Sequence, residues 1–369
     1  MLKKAIVISI VLVFALSALS VVEADYKDEF SLSYNVSPAM PWGVTVEYFA
    51  DRIQEETDGR ININAVGGSS LAGGQQTEVF SLLRRGAIDM AIESTINFSP
   101  QIPAMNLFSL PFFFEGYEDI DAVLEGQAGQ MILDRMEELG VVSVGWGENG
   151  FRQITNDTRP IHSPEDLSDL RFRVVGSELF IETFQALGSN PLTMNWGEAT
   201  TGFQQGTVDG QENPVVGVAI PVQIWDFHQY MTLWDYVADP LVFGVNEQIF
   251  NNFTEEDQQI LLDVAEEALE FGKMLARYGL DDGAAQEYID AKIESGEDLG
   301  YAESFLDNIR LEDGSIDPIA FLEEQGMEIN QLTEEEKDAF RELTEETYEK
   351  WINIIGEDLY EAALQDMGR

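Results

Sequence analysis

Phe30-Ser31-Leu32-Ser33-Tyr34-Asn35-Val36 alternates apolar and polar side chains, the period-two pattern of a half-buried β-strand. Directly after it, Val46, Phe49, Ala50 and Ile53 recur at helical spacing, and Gly59 stands where a C-terminal helix cap belongs. Ile61, Ile63 and Ala65 then alternate again. The stretch reads as β-α-β, the unit that builds a parallel sheet covered by helices.

The same punctuation continues outward from it. A short helix over about 75–85 ends near Gly86, and Ile88-Asp89-Met90-Ala91-Ile92 reads as the next strand. A helix near 118–139 precedes a strand Val141–Trp146. Ser163-Pro164-Glu165-Asp166 carries a capping Ser with Pro in the first turn. Strand Phe172–Val175 leads into a helix with Phe180, Phe184 and Leu187 on one face. The fold class is therefore α/β over about 250 residues, without internal repeats. From Thr254 onward the chain becomes helical. Thr254-Glu255-Glu256-Asp257 opens one helix, with a stripe of Ile260, Val264, Ala268, Phe271 and Leu275. Thr333-Glu334-Glu335-Glu336 forms a capping box for another, with Phe340, Leu343, Thr347 and Trp351 on one face. The acidic, turn-rich stretch of about 281–326, including Asp313-Gly314, reads as a surface insertion with short helices.

Residues 1–24 read as a signal peptide: Lys3 and Lys4, the apolar run Ala5–Leu19, then the small-x-small end Val22-Glu23-Ala24. That run is shorter than the ~20 residues of a membrane-spanning helix, so the expectation is removal after export to the periplasm and a free, soluble mature chain. Zero Cys excludes disulfides, thiol nucleophiles and thiolate metal sites. A chain of 369 residues has length enough for two domains with cores of their own. The formal net charge of −48, from 20 basic and 68 acidic residues, rules against nucleic acid as a partner, because phosphate contacts need clustered Lys and Arg. Hydrophobic residues at 44%, with 22 Phe, exclude disorder as the meaning of that charge. It reads instead as a carboxylate-rich surface suited to concentrated salt, where screening removes self-repulsion.

Catalytic patterns are sparse. Among 68 acidic residues close pairs arise by chance, which weakens a reading as a secreted hydrolase with paired carboxylates. Neither a Gly-x-Ser-x-Gly elbow nor a His-Glu-x-x-His zinc motif occurs. Gly67-Gly68-Ser69-Ser70 and Gly73-Gly74 lack the following Lys of a phosphate loop and read as a flexible turn. Asp307–Asp317 does not place its Gly as a calcium loop requires. His162 and His228 stand apart, in solvated or core-edge roles. No cofactor and no metal ligand is nominated. Arginine is the scarce type, and in Arg171-Phe172-Arg173-Val174-Val175 strand alternation sets both arginines opposite Phe172 and Val174. Arg173 precedes a turn and a helix beginning near Glu178, at the carboxyl end of a strand, where open α/β sheets bind ligands. There a guanidinium can grip a carboxylate with two parallel hydrogen bonds; an ordinary ion pair is the alternative.

Several motifs, in order, resemble the solute-binding subunits of TRAP (tripartite ATP-independent periplasmic) transporters. They are Gly86-Ala87-Ile88-Asp89-Met90-Ala91, Leu110-Pro111-Phe112-Phe113, Asn149-Gly150-Phe151-Arg152-Gln153, Leu170-Arg171-Phe172-Arg173-Val174, Leu187-Gly188-Ser189-Asn190-Pro191 and Gly206-Thr207-Val208-Asp209-Gly210-Gln211-Glu212-Asn213-Pro214. The resemblance covers roughly 26–275. It implies a two-domain periplasmic binding protein fold with a hinged cleft and C-terminal helices. Domain I takes 25–148 and about 237–253, domain II takes 149–236, and the helical region 254–369 crosses or packs on both. It implies a binding protein, not an enzyme, that delivers a small organic anion, such as a C4-dicarboxylate, to TRAP membrane subunits. Carried over residue by residue, Arg173 makes paired hydrogen bonds to the ligand carboxylate. Arg152 adds charge and further hydrogen bonds, with pairing to Glu198 as its structural alternative. Asn213 donates from the hinge side, and Trp196 packs against the ligand. Asn35 and Glu93 match positions that touch ligand on closure. A zwitterionic osmolyte such as ectoine, or a sugar acid, is the alternative ligand. The insertion 281–326 and the extreme acidity depart from the compact family pattern.

Overall fold

The computed structural model describes residues 26–369 apart from 298, 312 and 313, so the signal-peptide reading of 1–24 lies outside the described residues. Its strands are β1 (Phe30–Ser33), β2 (Ile63–Val66), β3 (Met90–Ser94), β4 (Val141–Asn156), β5 (Arg171–Val174), β6 (Asn190–Thr193), β7 (Gly210–Pro214), β8 (Tyr230–Leu233), β9 (Ala238–Asn246) and β10 (Glu328–Gln331). They run β2-β1-β3-β9-β4-β7-β5-β6 across one continuous sheet, with β8 also on β4 and β10 on β8. β1 lies parallel to β2 and β3, and β5 parallel to β6 and β7. The α/β class read from the sequence is thus the observed one.

β4 joins the two groups of strands. Its segment Val141–Phe151 pairs with β9, and Arg152–Asn156 pairs with β7, so the change of partner falls at Arg152. A register shift between Glu148 and Gly150 precedes that change. Gly150 has φ +114°, a conformation that an L side chain resists. The bulge re-aims the residues that follow, and Arg152 is among them.

The helix Glu255–Arg277 starts where the sequence places it: the Thr254 hydroxyl accepts from the Asp257 amide at 3.1 Å. It packs along the helix Pro41–Glu56, and at Gly272 the approach is so close that an added Cβ would lie 1.8 Å from Thr45 Oγ1. At its far end Arg277 pairs with Glu148 of β4 at 2.5 Å and with Asp121 at 2.7 Å. The long helix is therefore tied to β4 two residues before Gly150.

Several details differ from the sequence reading. The helix near 118–139 is two helices, Tyr117–Glu125 and Gln127–Glu137. They break at Gly126, where Asp366 accepts from the amides of Gln127 and Ala128 at 3.0 and 2.8 Å, a cap delivered from the other end of the chain. The helix over 75–85 is a 3₁₀ turn, Gln76–Glu78, followed by Val79–Arg84. In the last long helix, Glu334–Ile355, the buried stripe is Phe340, Thr344, Trp351 and Ile355, whereas Leu343 is 48% exposed. The stretch 281–326 has its short helices, yet Ala285, Ile289, Ala302, Phe305 and Leu306 are buried, and Ile289, Ala302, Phe305 and Leu306 enter the main core, so it is not merely a surface addition. The strand read as Val141–Trp146 continues to Asn156, and β6, β7, β8, β9 and β10 have no counterpart in the sequence reading. No helix among the described residues is long and apolar enough to cross a membrane.

Candidate functional site

On β5, Phe172 and Val174 face the core, where Phe172 stacks on Phe184 at 4.4 Å between centroids. Alternation sends Arg173 to the other face, and there it is only 1% exposed. Its Nε and Nη2 both donate to the carbonyl of Met194, at 3.2 and 2.9 Å. No carboxylate among the described residues stands at ion-pair distance from it. Burial, only partly offset by Glu212 and reinforced by Arg152, holds Arg173 down to about 10. A buried guanidinium without an anion is costly. Arg171, in contrast, is exposed and pairs with Asp209.

Trp196 opens the helix Trp196–Gln204, whose N-cap Asn195 forms a capping box with Glu198. That capping role occupies Glu198, and the Arg152–Glu198 pairing offered as an alternative does not occur. The Trp196 ring lies 5.6 Å from the Arg173 guanidinium carbon.

Arg152 takes two other carboxylates. Its Nε and Nη2 donate to Glu212, Nη2 also to Asn213 Oδ1 at 3.0 Å, and Nη1 to Asp239 at 2.6 Å. Burial opposes the charge of Arg152, but Glu212 and Asp239 together outweigh it, and its pKa is raised. Tyr236 donates to Glu212 at 3.0 Å, and Ser94 and Asn149 donate to Asp239 at 2.5 and 2.8 Å. Arg152 is thus neutralised inside the protein, while Arg173 is not.

Arg173, Arg152, Asn213, Trp196 and Asn35 line one narrow cavity, which holds about 330 Å³ of atom-free space, only about 30 Å³ of it wide enough for a water centre. Asn213 spans Gln211 and Arg152, and Asn35 Oδ1 accepts from Ser69 at 3.0 Å. Glu93 does not line the cavity. It sits wholly buried behind the wall, accepting from Asn97 at 2.6 Å, with its Oε1 unpartnered. Burial raises its pKa well above the carboxylate range, and nearby Asp239 adds to the rise.

Sequence reasoning missed Gln76, Asn97, Asn149, Glu212 and Asp239. A hydrogen-bonded chain runs from Glu93 to Asn97, from Asn97 Oδ1 to Gln76 Nε2 at 2.7 Å, and from Gln76 Oε1 to the Trp196 amide at 2.7 Å. It crosses the cavity from β3 to the helix that carries Trp196. Glu212 and Asn149 sit inside quoted motifs, so attention to unpaired acids and amides beside an arginine could have found them. Gln76 and Asp239 carry no such signal. His228 is buried, bonded to Thr155 at 2.9 Å, and held down to about 4 by burial, while exposed His162 meets Glu336 at 3.0 Å. Neither lines the cavity. Among the described residues no group of three or more His, Asp or Glu side chains could hold a metal ion. A larger groove lined by Glu47, Tyr48, Glu267 and Glu297 is open acidic surface partly answered by Lys292 and Arg52. Volume therefore does not mark the site; the uncompensated cation does.

Residues 32–295 match the family described as bacterial extracellular solute-binding protein, family 7. The chain belongs to this family. The matched segment contains all five cavity residues named above. Among its relatives, the 2,3-diketo-L-gulonate-binding periplasmic protein of Escherichia coli is 30% identical over 242 residues, 66% of this chain and 73% of that protein. A TRAP periplasmic solute-binding protein from Ralstonia eutropha, solved with (S)-2-acetolactate, is 40% identical with a TM-score of 0.81, covering 93% of this chain and 99% of that one. Another, from Sulfurospirillum deleyianum with bound succinate, is 26% identical with a TM-score of 0.73, covering 91% and 97%. The resemblance read from the motifs and the two-domain fold it implied agree with these matches. Family 7 proteins are extracellular binding proteins, and the chain shares that description.

Proposed function

We propose that the chain captures a small carboxylate-bearing solute in the Arg173 cavity and delivers it to the membrane subunits of a TRAP transporter, as a binding protein and not as an enzyme. The observation that carries this reading is the buried guanidinium of Arg173, held by one carbonyl, beside an aromatic ring and without a carboxylate of its own. Its Nη1 and Nη2 edge is free to form two parallel hydrogen bonds to a carboxylate, and Trp196 closes over the pair. Arg152, fixed by Glu212 and Asp239, acts as a rigid polar wall and not as a second anion clamp. Asn213 holds that wall in place, and Asn35 contributes from the β1 side. The related structures with acetolactate and succinate bound support a carboxylate as the ligand.

The lobes on either side of the cavity would be 25–148 with about 237–253, and 149–236. β4 and β9 serve as the hinge strands, and 254–369 serves as the strut. The pairing of β9 with both β3 and β4 supports this division. Export by residues 1–24 completes the reading, and mass spectrometry of the mature N-terminus checks it. For binding, a thermal-shift and calorimetric screen of organic acids is expected to raise the melting temperature of the wild type, with no response from Arg173→Ala. A wild type that binds no organic acid defeats the proposal.

A further inference from the structure

His228 is buried and stands outside the cavity, yet two separate rows of contacts run from its ring to groups that line it. The first row is polar, and its direction is set at the cavity end. Arg152 can only donate, so the Asn213 oxygen faces it, 3.0 Å from Nη2, and the Asn213 nitrogen faces Gln211 Oε1. Gln211 therefore turns its Nε2 to Thr155 Oγ1 and donates at 2.7 Å, across the β4–β7 pair. The Thr155 hydroxyl accepts that bond and has its one hydrogen left for His228 Nδ1, at 2.9 Å. Thr155, Gln211, Asn213 and His228 are all buried. If Nδ1 carried the ring proton, the Thr155 hydrogen would be stranded in the core together with the lone pair of Nε2, which has no partner among the described residues. With the proton on Nε2, that N–H alone goes unanswered.

The second row is aromatic. The His228 ring meets Phe203 edge to face at 5.2 Å between centroids, and Phe203 meets Trp196 in the same way at 6.3 Å. Trp196 in turn lies over the Arg173 guanidinium. A neutral imidazole suits this junction, because it offers an acceptor at one corner and an apolar ring to its neighbour. Phenylalanine would supply only the ring. Burial keeps the group neutral, holding it down to about 4 against the opposing pull of Asp209, which is itself engaged by Arg171.

Resting on the carboxylate reading above, we infer that His228 is a positioning residue for ligand binding: with its ring proton on Nε2, it anchors both the row that holds Asn213 against Arg152 and the row that seats Trp196 over Arg173. Two measurements test this. Long-range ¹H–¹⁵N NMR of the imidazoles at neutral pH needs no substitution, and the two histidines of the chain are told apart with His162→Gln. His228 is expected as the Nε2–H tautomer, and an Nδ1–H or doubly protonated ring overturns the inference. Calorimetry with succinate, or with the tightest acid of the organic-acid screen if succinate is not taken up, compares Thr155→Ser, Thr155→Val and His228→Phe. Thr155→Ser keeps the hydroxyl and is expected to bind within about twofold of wild type. Thr155→Val and His228→Phe break the polar row and are expected to bind about fivefold more weakly, the worth of one hydrogen bond. Wild-type affinity in both of these, whatever their melting temperatures, makes His228 merely structural and leaves the carboxylate reading standing. A wild type that binds no acid of the screen defeats both readings together.

Discussion

Arg173 donates twice to the backbone carbonyl of Met194, and that carbonyl is its only hydrogen-bond partner among the described residues. An arginine buried to 1% exposure ordinarily carries a carboxylate. Here the protein bears the desolvation of the charge without the ion pair that usually offsets it, and under the proposed function a ligand supplies the missing anion. Replacing Arg173 with Met is therefore expected to leave the ligand-free protein as stable as before, or up to about 2 kcal/mol more stable, while affinity for the carboxylate falls by about 2–5 kcal/mol. Urea denaturation of the ligand-free proteins and calorimetric titration measure the two quantities separately. A large loss of ligand-free stability would show Arg173 to be structural.

Arg152 should behave in the opposite way. Arg152→Met strands Glu212 and Asp239, both at most 1% exposed, and is expected to cost about 3–5 kcal/mol of folding stability in the absence of ligand. The same denaturation experiment checks it. Equal effects of the two arginine substitutions would remove the distinction drawn between them.

The chain from Glu93 through Asn97 and Gln76 to the Trp196 amide crosses the cavity and holds its two walls together. Gln76→Ala removes the middle link. Ligand affinity is expected to fall by about 1–2 kcal/mol, mostly as faster dissociation, because association does not need the crossing contact. Stopped-flow dissociation rates read this directly, and an unchanged rate would show the contact to be idle.

Burial raises the pKa of Glu93 in the folded protein, while in the unfolded chain it takes the ordinary carboxylate value. The folded state therefore binds more protons over the interval between those two values, and stability falls as pH rises through it. Glu93→Gln keeps an acceptor for Asn97 and removes the titration. Its melting temperature relative to wild type is expected to be near zero at acid pH and to grow as pH rises above the ordinary carboxylate range. A difference that does not vary with pH would mean that Glu93 does not titrate across folding.

The formal charge of −48 predicts a marked dependence on salt. Between about 0.1 M and about 1 M the screening length falls from about 10 Å to about 3 Å, so repulsion among the surface carboxylates should be largely removed and the melting temperature should rise. Scanning calorimetry across a sodium chloride series tests this, and a flat or falling trend would sink the salt-adapted reading of the surface.

The elements that are legible in the sequence are those whose signals are local. The alternation of Phe30 to Val36, the capping Thr254 and Thr333, and the motif order around Arg152 and Arg173 depend on neighbours within a few residues. Where a cap or a partner comes from a distant part of the chain, sequence and structure part company. Asp366 splits a helix at Gly126, and β8 recruits β10 from nearly a hundred residues away. Leu343 has the spacing of a stripe residue but is not one, because positions 340, 344, 351 and 355 share a face just as well, and only packing decides between them.

For the site, the sequence alone determined that Arg173 stands opposite a core face at the end of a strand, because β alternation is a local rule. It determined nothing about whether that arginine was already matched. That question belongs to the tertiary structure, since the carboxylates that might have answered Arg173 come from β7 and β9, and both close on Arg152 instead. Coulomb attraction depends on distance in space and on burial, and neither is written in the spacing of residues along the chain.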